Sequence, residues 1–151
     1  MTSQVIKKSI DLKAPKQKVW AVLLDDNFTK QWFSAFGEGV SANTDWQVGS
    51  KAVFTDKSGS GIIGRIAENK PNEIVSIKYT GEVENGKEDY ESAAAKAVKE
   101  GYETYILSGQ NGATQLSIEC NMGAEYFDMM SAAWESALQK IKELSEENQQ
   151  P

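Results

Sequence analysis

The sequence predicts an α+β domain in which a curved antiparallel sheet of six or seven strands wraps around a long C-terminal helix. Three features carry this prediction: a helical segment near the C-terminus, a series of strand-like segments before it, and two short helical segments after the first strand. Sequential strands with helices segregated from them are typical of the α+β class. We expect residues 1–151 to form a single domain.

The C-terminal segment, residues 124–147, has the strongest helical pattern in the chain. Its large apolar residues follow steps of three and four, the period of one helix face. They are Phe127, Met130, Trp134, Leu138, Ile141 and Leu144. This face must be covered by a broad apolar surface, so we predict that Trp134 is buried where the helix contacts the sheet. Two interpretations of the face stay open: ordinary core, or core that partly lines a ligand cavity.

The N-terminal third predicts one strand followed by two short helices. Residues 4–13 alternate as a strand does, and Ala14-Pro15 then opens a helix, since proline suits the first helical turn. A second short helix contains Trp32 and Phe33.

Six strand-like segments follow, bounded by glycine, proline and asparagine. They cover residues 44–48, 51–56, 61–69, 73–83, 102–108 and 113–122. Gly64 predicts a bulge or a close backbone approach, and Asn111-Gly112 predicts a hairpin turn. Residues 84–100 are charged, show no strand alternation and include a helix-prone stretch. We expect them to form a mobile insert and a natural gate for a cavity.

Composition excludes several classes of function. A formal net charge of −6 without a basic block disfavours binding to nucleic acid and to anionic membranes. The chain has one cysteine and no run of apolar residues long enough to cross a membrane, so we expect a cytoplasmic protein without stable membrane insertion. It has no histidine, which removes the commonest general base and metal ligand. We expect no metal and no cofactor.

The order of these segments resembles the START and birch-pollen-allergen (SRPBCC) superfamily, in the branch similar to the activator of heat-shock-protein ATPase. The matching segments are Ala14-Pro15 with Val19-Trp20, Thr29-Lys30-Gln31-Trp32-Phe33, Trp46 with Val48-Gly49, Pro71-Asn72-Glu73-Ile74-Val75, and Trp134 with Leu138 and Ile141-Lys142-Glu143-Leu144. The resemblance implies the helix-grip fold of that superfamily. Its members bind lipids, hormones or polyketide-like compounds, and a minority catalyse reactions.

The branch name associates such proteins with the stress response, but it does not imply chaperone activity for this chain. We expect this chain to consist of the one small domain, without the separate amino-terminal chaperone-binding domain of the full activator. A protein partner, a chaperone among them, is left open.

The candidate ligand site is a cavity between the long helix and the sheet, lined by aromatic, methionine and isoleucine side chains. The candidates are Phe33, Phe36, Trp46, Phe54, Ile77, Tyr79, Tyr105, Met122, Phe127, Met130 and Trp134. Aromatic and methionine side chains suit a mostly apolar ligand, and tyrosine hydroxyls can orient it. Cys120 is expected to be buried and inert, because no histidine can activate it.

Three functions are consistent with this site. The favoured one is a carrier or sensor that binds a small apolar molecule without transforming it. The alternatives are an enzyme of the polyketide cyclase or dehydrase type that uses Tyr, Glu or Asp, and a co-chaperone-like interaction module. Without histidine or an inward pair of carboxylates, the sequence favours binding over catalysis and assigns no catalytic residue.

Overall fold

Eight strands form one antiparallel sheet in the computed structural model, which describes residues 3–147. They are β1 Ser3–Leu12, β2 Ser41–Asn43, β3 Lys51–Thr55, β4 Gly61–Lys70, β5 Ile74–Glu84, β6 Lys87–Asp89, β7 Tyr102–Gln110 and β8 Ala113–Gly123. The strand order is β1-β8-β7-β5-β4-β3-β2, and β6 pairs with the far end of β5. The helices are α1 Lys16–Leu24, α2 Asp26–Trp32, α3 Ala93–Val98 and α4 Phe127–Glu146. The predicted α+β class is confirmed.

Period-two alternation gives the sheet one apolar face, as the sequence predicts. In β8, Leu116, Ile118 and Cys120 are buried, and in β5 the same holds for Val75 and Ile77. The buried residues of the sheet share one core with those of α1, α2 and α4. The helices therefore cover the inner face of the sheet, and the outer face meets solvent.

Two irregularities in the pairing of β4 with β5 allow the sheet to bend. One lies at Gly64, where an added Cβ would come within 2.8 Å of the Ile77 side chain and 2.9 Å of the Lys78 carbonyl oxygen. The predicted bulge and close approach at Gly64 are both confirmed. The predicted hairpin is confirmed as well, because Asn111 and Gly112 have φ angles of 56° and 78°, as a two-residue turn of this hand requires.

Two local predictions are wrong. Residues 44–48 do not form a strand, because Trp46 has a φ of 62°, which extended pairing does not allow. That segment is a loop held by Asn69, whose Nδ2 donates to the Trp46 carbonyl oxygen at 2.7 Å. The charged insert contains the unpredicted strand β6 as well as the predicted helix α3. Ser92 caps α3, and Ala95 is fully buried.

Helix α4 contacts β1, α1, α2 and the 3-10 turn Phe33–Ala35. Its buried positions start at Trp134, and none of the first seven residues of the helix is fully buried. Only the C-terminal two-thirds of α4 therefore packs closely against the core. Among residues 3–147, no helix is both long enough and apolar enough to cross a membrane.

Replacing Trp134 by alanine should lower the free energy of unfolding by about 3–5 kcal/mol, the usual effect of deleting a large buried aromatic side chain. Trp134 is 1% exposed, whereas Met129 on the same helix is 63% exposed. Met129→Ala is therefore the matched control and should change stability by less than about 0.5 kcal/mol. Denaturant melts of both variants measure the difference. A loss below about 1 kcal/mol for Trp134→Ala would contradict this assignment of the helix face.

Candidate functional site

A cavity of about 290 Å³ lies between the first half of α4 and the inner face of the sheet. Strands β3, β4, β5 and β7 form one wall, and α2 with the segment after it forms another. Seven aromatic side chains line it: Trp32, Phe33, Phe36, Phe54, Tyr79, Tyr105 and Trp134. The buried part of α4 starts only at Trp134. The residues of the helix before Trp134 therefore leave part of the inner face of the sheet uncovered, and the cavity lies there.

The deep end of the cavity is built around the Trp134 ring. Its centroid lies 5.0 Å from that of Phe36, 5.9 Å from that of Tyr105 and 6.0 Å from that of Trp32. Trp32 is held in turn by its indole N–H, which donates to the Val22 carbonyl oxygen at 2.8 Å and so joins α2 to α1. These contacts fix the aromatic rings before any ligand binds.

One carboxyl group faces this aromatic environment. Glu103 in β7 accepts a hydrogen bond from the Tyr79 hydroxyl at Oε1, at 2.7 Å, and one from the Tyr105 hydroxyl at Oε2. Tyr79 projects from the neighbouring strand β5, and Tyr105 lies two residues along β7, so all three side chains share the inner face. Glu103 is partly exposed and lines the cavity.

Burial raises the pKa of Glu103, and the hydrogen bonds from Tyr105 and Tyr79 oppose that rise without cancelling it. Burial also raises the pKa of both tyrosines well above the usual tyrosine value, and the neighbouring Glu103 carboxyl adds to the effect. The phenols therefore remain protonated donors at neutral pH, and Glu103 is the group in this cluster that titrates.

Cys120 lies near the cluster but is not a reactive group. It is 3% exposed, and burial raises the pKa of its thiol to about 12. The Trp134 indole N–H acts in the opposite direction on this thiol, and Nε1 has no oxygen or nitrogen acceptor among residues 3–147. The prediction that Cys120 is a buried, apolar-like residue is confirmed.

Val40 and the hairpin between β3 and β4 complete the lining, and because their lining residues are partly exposed we call this part the mouth of the cavity. Asp56 orders this hairpin: its Oδ1 accepts from the Ser58 amide at 2.8 Å and from the Ser58 hydroxyl at 2.6 Å. The hydrogen bonds from Ser58 lower the pKa of Asp56, so the carboxylate stays ionised and occupied within its own turn. No residue of the insert, residues 84–100, lines the cavity. The insert therefore does not lie where the expected gate would have to be.

The structure brings seven of the eleven candidate residues together around the cavity. They are Phe33, Phe36, Phe54, Tyr79, Tyr105, Met130 and Trp134. Met130 is the first α4 residue of the lining and lies one turn before Trp134. Whether these residues bind a ligand stays a prediction.

Four candidates do not line the cavity. Ile77 is on the inner face but is 1% exposed, paired with Ile66 inside the core. Trp46 lies in the loop before β3, with its ring centroid 6.3 Å from that of Phe54. Met122 lies near the end of β8, and Phe127 begins α4; both pack only partly buried against the core.

Eight residues of the cavity lining were not among the candidates, and Glu103 is the one that brings a buried carboxyl group to the aromatic rings. A carboxylate is normally expected on the outer, solvent-exposed face of a sheet. The alternation of β7 nevertheless indicates that Glu103 lies on the inner face. Tyr105 was assigned inward, and residues two apart in a strand share a face, so Glu103 must also point inward.

Comparison with known proteins identifies the family. The model for "Activator of Hsp90 ATPase homolog 1-like protein" matches residues 13–146, which is most of the chain. The chain belongs to this family. The resemblance predicted from the sequence is thereby confirmed. No curated protein matches this member of the activator-like family.

Solved structures agree with the fold of this activator-like domain. Protein MLL2253 from Mesorhizobium loti has a TM-score of 0.75 at 14% identity, over 97% of this chain and 100% of that one. The Aha1 dimer from Colwellia psychrerythraea has a TM-score of 0.69 at 17% identity, over 99% and 100%. CalU16 from Micromonospora echinospora has a TM-score of 0.62 at 20% identity, over 96% and 76%. At such identities the similarity shows the fold alone.

The raised pKa of Glu103 predicts how stability depends on pH. The folded protein holds this proton at pH values where the unfolded chain has lost it. The contribution of protonated Glu103 to the free energy of unfolding is therefore complete below about pH 4.3, the ordinary glutamate pKa. This contribution is lost as the pH rises through the pKa that Glu103 has in the folded protein. Relative to Glu103→Gln, the wild type should become steadily less stable across this window in denaturant melts. A difference that stays constant from pH 4 to pH 9 would contradict the assignment.

Proposed function

We propose that the protein binds a small, mostly apolar molecule in this cavity and holds it without transforming it, as a carrier or sensor. The observation that carries the proposal is the cavity of about 290 Å³ with seven aromatic side chains around one hydrogen-bonded carboxyl group. Ligand sites in proteins have this composition, a largely apolar wall with a few convergent polar groups. The volume is close to the lower end of the range for small-molecule sites, so it suits a compact ligand.

The cavity has the features of a site rather than of a packing defect. Protein interiors are close-packed, with few voids larger than a water molecule, and a void this size forgoes many dispersion contacts. Here the deep rings are fixed by neighbouring rings and by the bond from Trp32 to Val22. The mouth is ordered by Asp56. Rings that their neighbours hold in place beside an unfilled space support binding.

Catalysis is the second candidate, because Glu103 has the raised pKa that suits a general acid or base. An enzyme of the polyketide cyclase or dehydrase type would need further groups beside it. The chain has no histidine, and the Cys120 thiol has a pKa of about 12. Asp56, the other carboxylate of the lining, is occupied by its own turn. We therefore place binding before catalysis.

An interaction module is the third candidate. Five large apolar side chains are exposed among the described residues: Val5, Val48, Ile106, Tyr126 and Met129. They lie on separate elements, namely β1, the loop before β3, β7, the turn before α4 and α4 itself. They do not carry a proposal of a stable protein partner.

The carrier hypothesis predicts that filling the cavity abolishes binding. The uncharged fluorophore N-phenyl-1-naphthylamine should bind the native protein with a dissociation constant of roughly micromolar, about −8 kcal/mol. Met130→Trp places a larger side chain in the cavity and should weaken binding at least tenfold, or about 1.4 kcal/mol. Fluorescence titration measures both values.

Met129→Trp is the matched control, because Met129 is the next residue of the helix and is exposed to solvent. It should leave the titration unchanged. Equal affinity in the Met130 and Met129 variants would contradict binding in this cavity. If the two variants differ as expected, mass spectrometry of compounds extracted from the purified native protein would identify a natural ligand that copurifies with it.

A further inference from the structure

The cavity lining contains acidic side chains and no basic ones among the described residues. Its ionisable lining residues are Asp56, Tyr79, Glu103 and Tyr105, and among the described residues no lysine or arginine lines it. Asp56 is at the mouth and is occupied by the hairpin amides, so Glu103 supplies the only acidic group in the deep part. Any charge that the deep cavity develops is negative.

Glu103 has unused capacity to accept hydrogen bonds. A carboxylate has about four acceptor positions, and the two phenols use one on each oxygen. Within the part of the chain that the structure describes, no lysine or arginine forms an ion pair with it. Glu119, on the outer face of the sheet, differs: it accepts from the Tyr102 hydroxyl at 2.5 Å and lies 3.6 Å from Lys7 Nζ.

The aromatic rings around Glu103 favour the same sign of ligand charge. Ring faces carry partial negative charge, and a cation within about 6 Å of a centroid is attracted to them, most strongly by tryptophan. Trp134, Tyr105, Trp32 and Phe36 form one connected group of rings with centroids 5.0–6.3 Å apart. A positive group held near Glu103 would meet these rings as well as the carboxylate.

We propose that the ligand of this cavity is an organic ammonium compound, a protonated amine carried on a compact apolar body. The ammonium group would donate to the free acceptor positions of Glu103, and the apolar body would fill the aromatic space toward Met130 and Phe54. This inference deepens the proposed binding function and rests on it. It assigns the charge class of the ligand, which cavity volume and apolar lining leave open.

Ionisation of Glu103 couples this recognition to pH. The titratable groups that face it are Tyr79 from β5, Tyr105 from β7 and Cys120 from β8, all of them protonated at neutral pH, while α4 contributes the uncharged Trp134 and Met130. An ammonium ion favours the ionised carboxylate, so binding should expel the carboxyl proton. Affinity for an amine should therefore rise with pH until the free carboxyl is fully ionised.

The test uses 2-phenylethylamine and 2-phenylethanol, which differ only in an ammonium group and a hydroxyl group. An amine of this kind stays protonated below about pH 9. Isothermal titration calorimetry on the whole protein at pH 6, 7 and 8 measures both affinities. The wild type should bind the amine at least about tenfold more tightly than the alcohol at pH 8. The preference should shrink toward pH 6.

Glu103→Gln keeps the size of the side chain and removes its charge. It should reduce the amine-to-alcohol preference to about one, because the negative charge that distinguishes the two ligands is gone. Glu119→Gln is the matched control, since it alters a tyrosine-bonded glutamate on the outer face, and it should keep the full preference. If Glu103→Gln fails to fold, wild-type titrations in two buffers of different ionisation enthalpy replace it. Proton release with the amine, and none with the alcohol, supports the proposal.

The outcomes separate the two hypotheses. Tight binding of the alcohol without a preference for the amine would overturn the ammonium inference and leave the carrier function standing. A preference that survives in a folded Glu103→Gln would also overturn it. If neither compound binds and N-phenyl-1-naphthylamine does not bind either, the carrier function itself fails, and the inference fails with it.

Discussion

The structure depends on the packing of Trp134 against rings from three other parts of the chain. Trp32 comes from α2, Phe36 from the segment after it and Tyr105 from β7, and each ring centroid lies within 6.0 Å of that of Trp134. Together with Ala137, Leu138, Ile141 and Leu144, this contact holds α4 against the core. The seven residues of α4 before Trp134 have no fully buried side chain, and the cavity lies beside them. Trp134 therefore belongs both to the core and to the lining of the cavity.

Glu103 lies among these aromatic rings, an environment that is unfavourable for an ionised carboxyl group. The surrounding rings withdraw it from water, which disfavours its ionised form, and two phenols restore only part of the lost hydrogen bonding. An apolar residue at this position would carry no such desolvation cost. A buried acidic group that opposes stability is a common sign of function, because active and binding sites are where such groups are retained.

Local patterns in the sequence predicted the elements well, and the site only in part. The alternation in β8, the Asn111-Gly112 turn and the helical period of α4 each depend on neighbouring residues. Alternation also states which face a strand residue occupies, but not how far along the sheet it lies. Ile77 and Tyr79 share a face, yet only Tyr79 reaches the cavity, because strand register and the bulges of β4 decide where the sheet is uncovered. Those are tertiary properties.

The two ends of the cavity differ in how they can respond to a ligand. Trp32, Tyr105 and Trp134 at the deep end are almost fully buried and wedged against one another, so they offer a fixed shape. Met130 is only partly buried, and methionine adapts readily to the shape of a neighbour. A ligand would thus be selected at the deep end and accommodated at the outer end. Since the ligand would bind only the folded protein, it would also stabilise it. Through Met130 it would support the first seven residues of α4, none of which is fully buried.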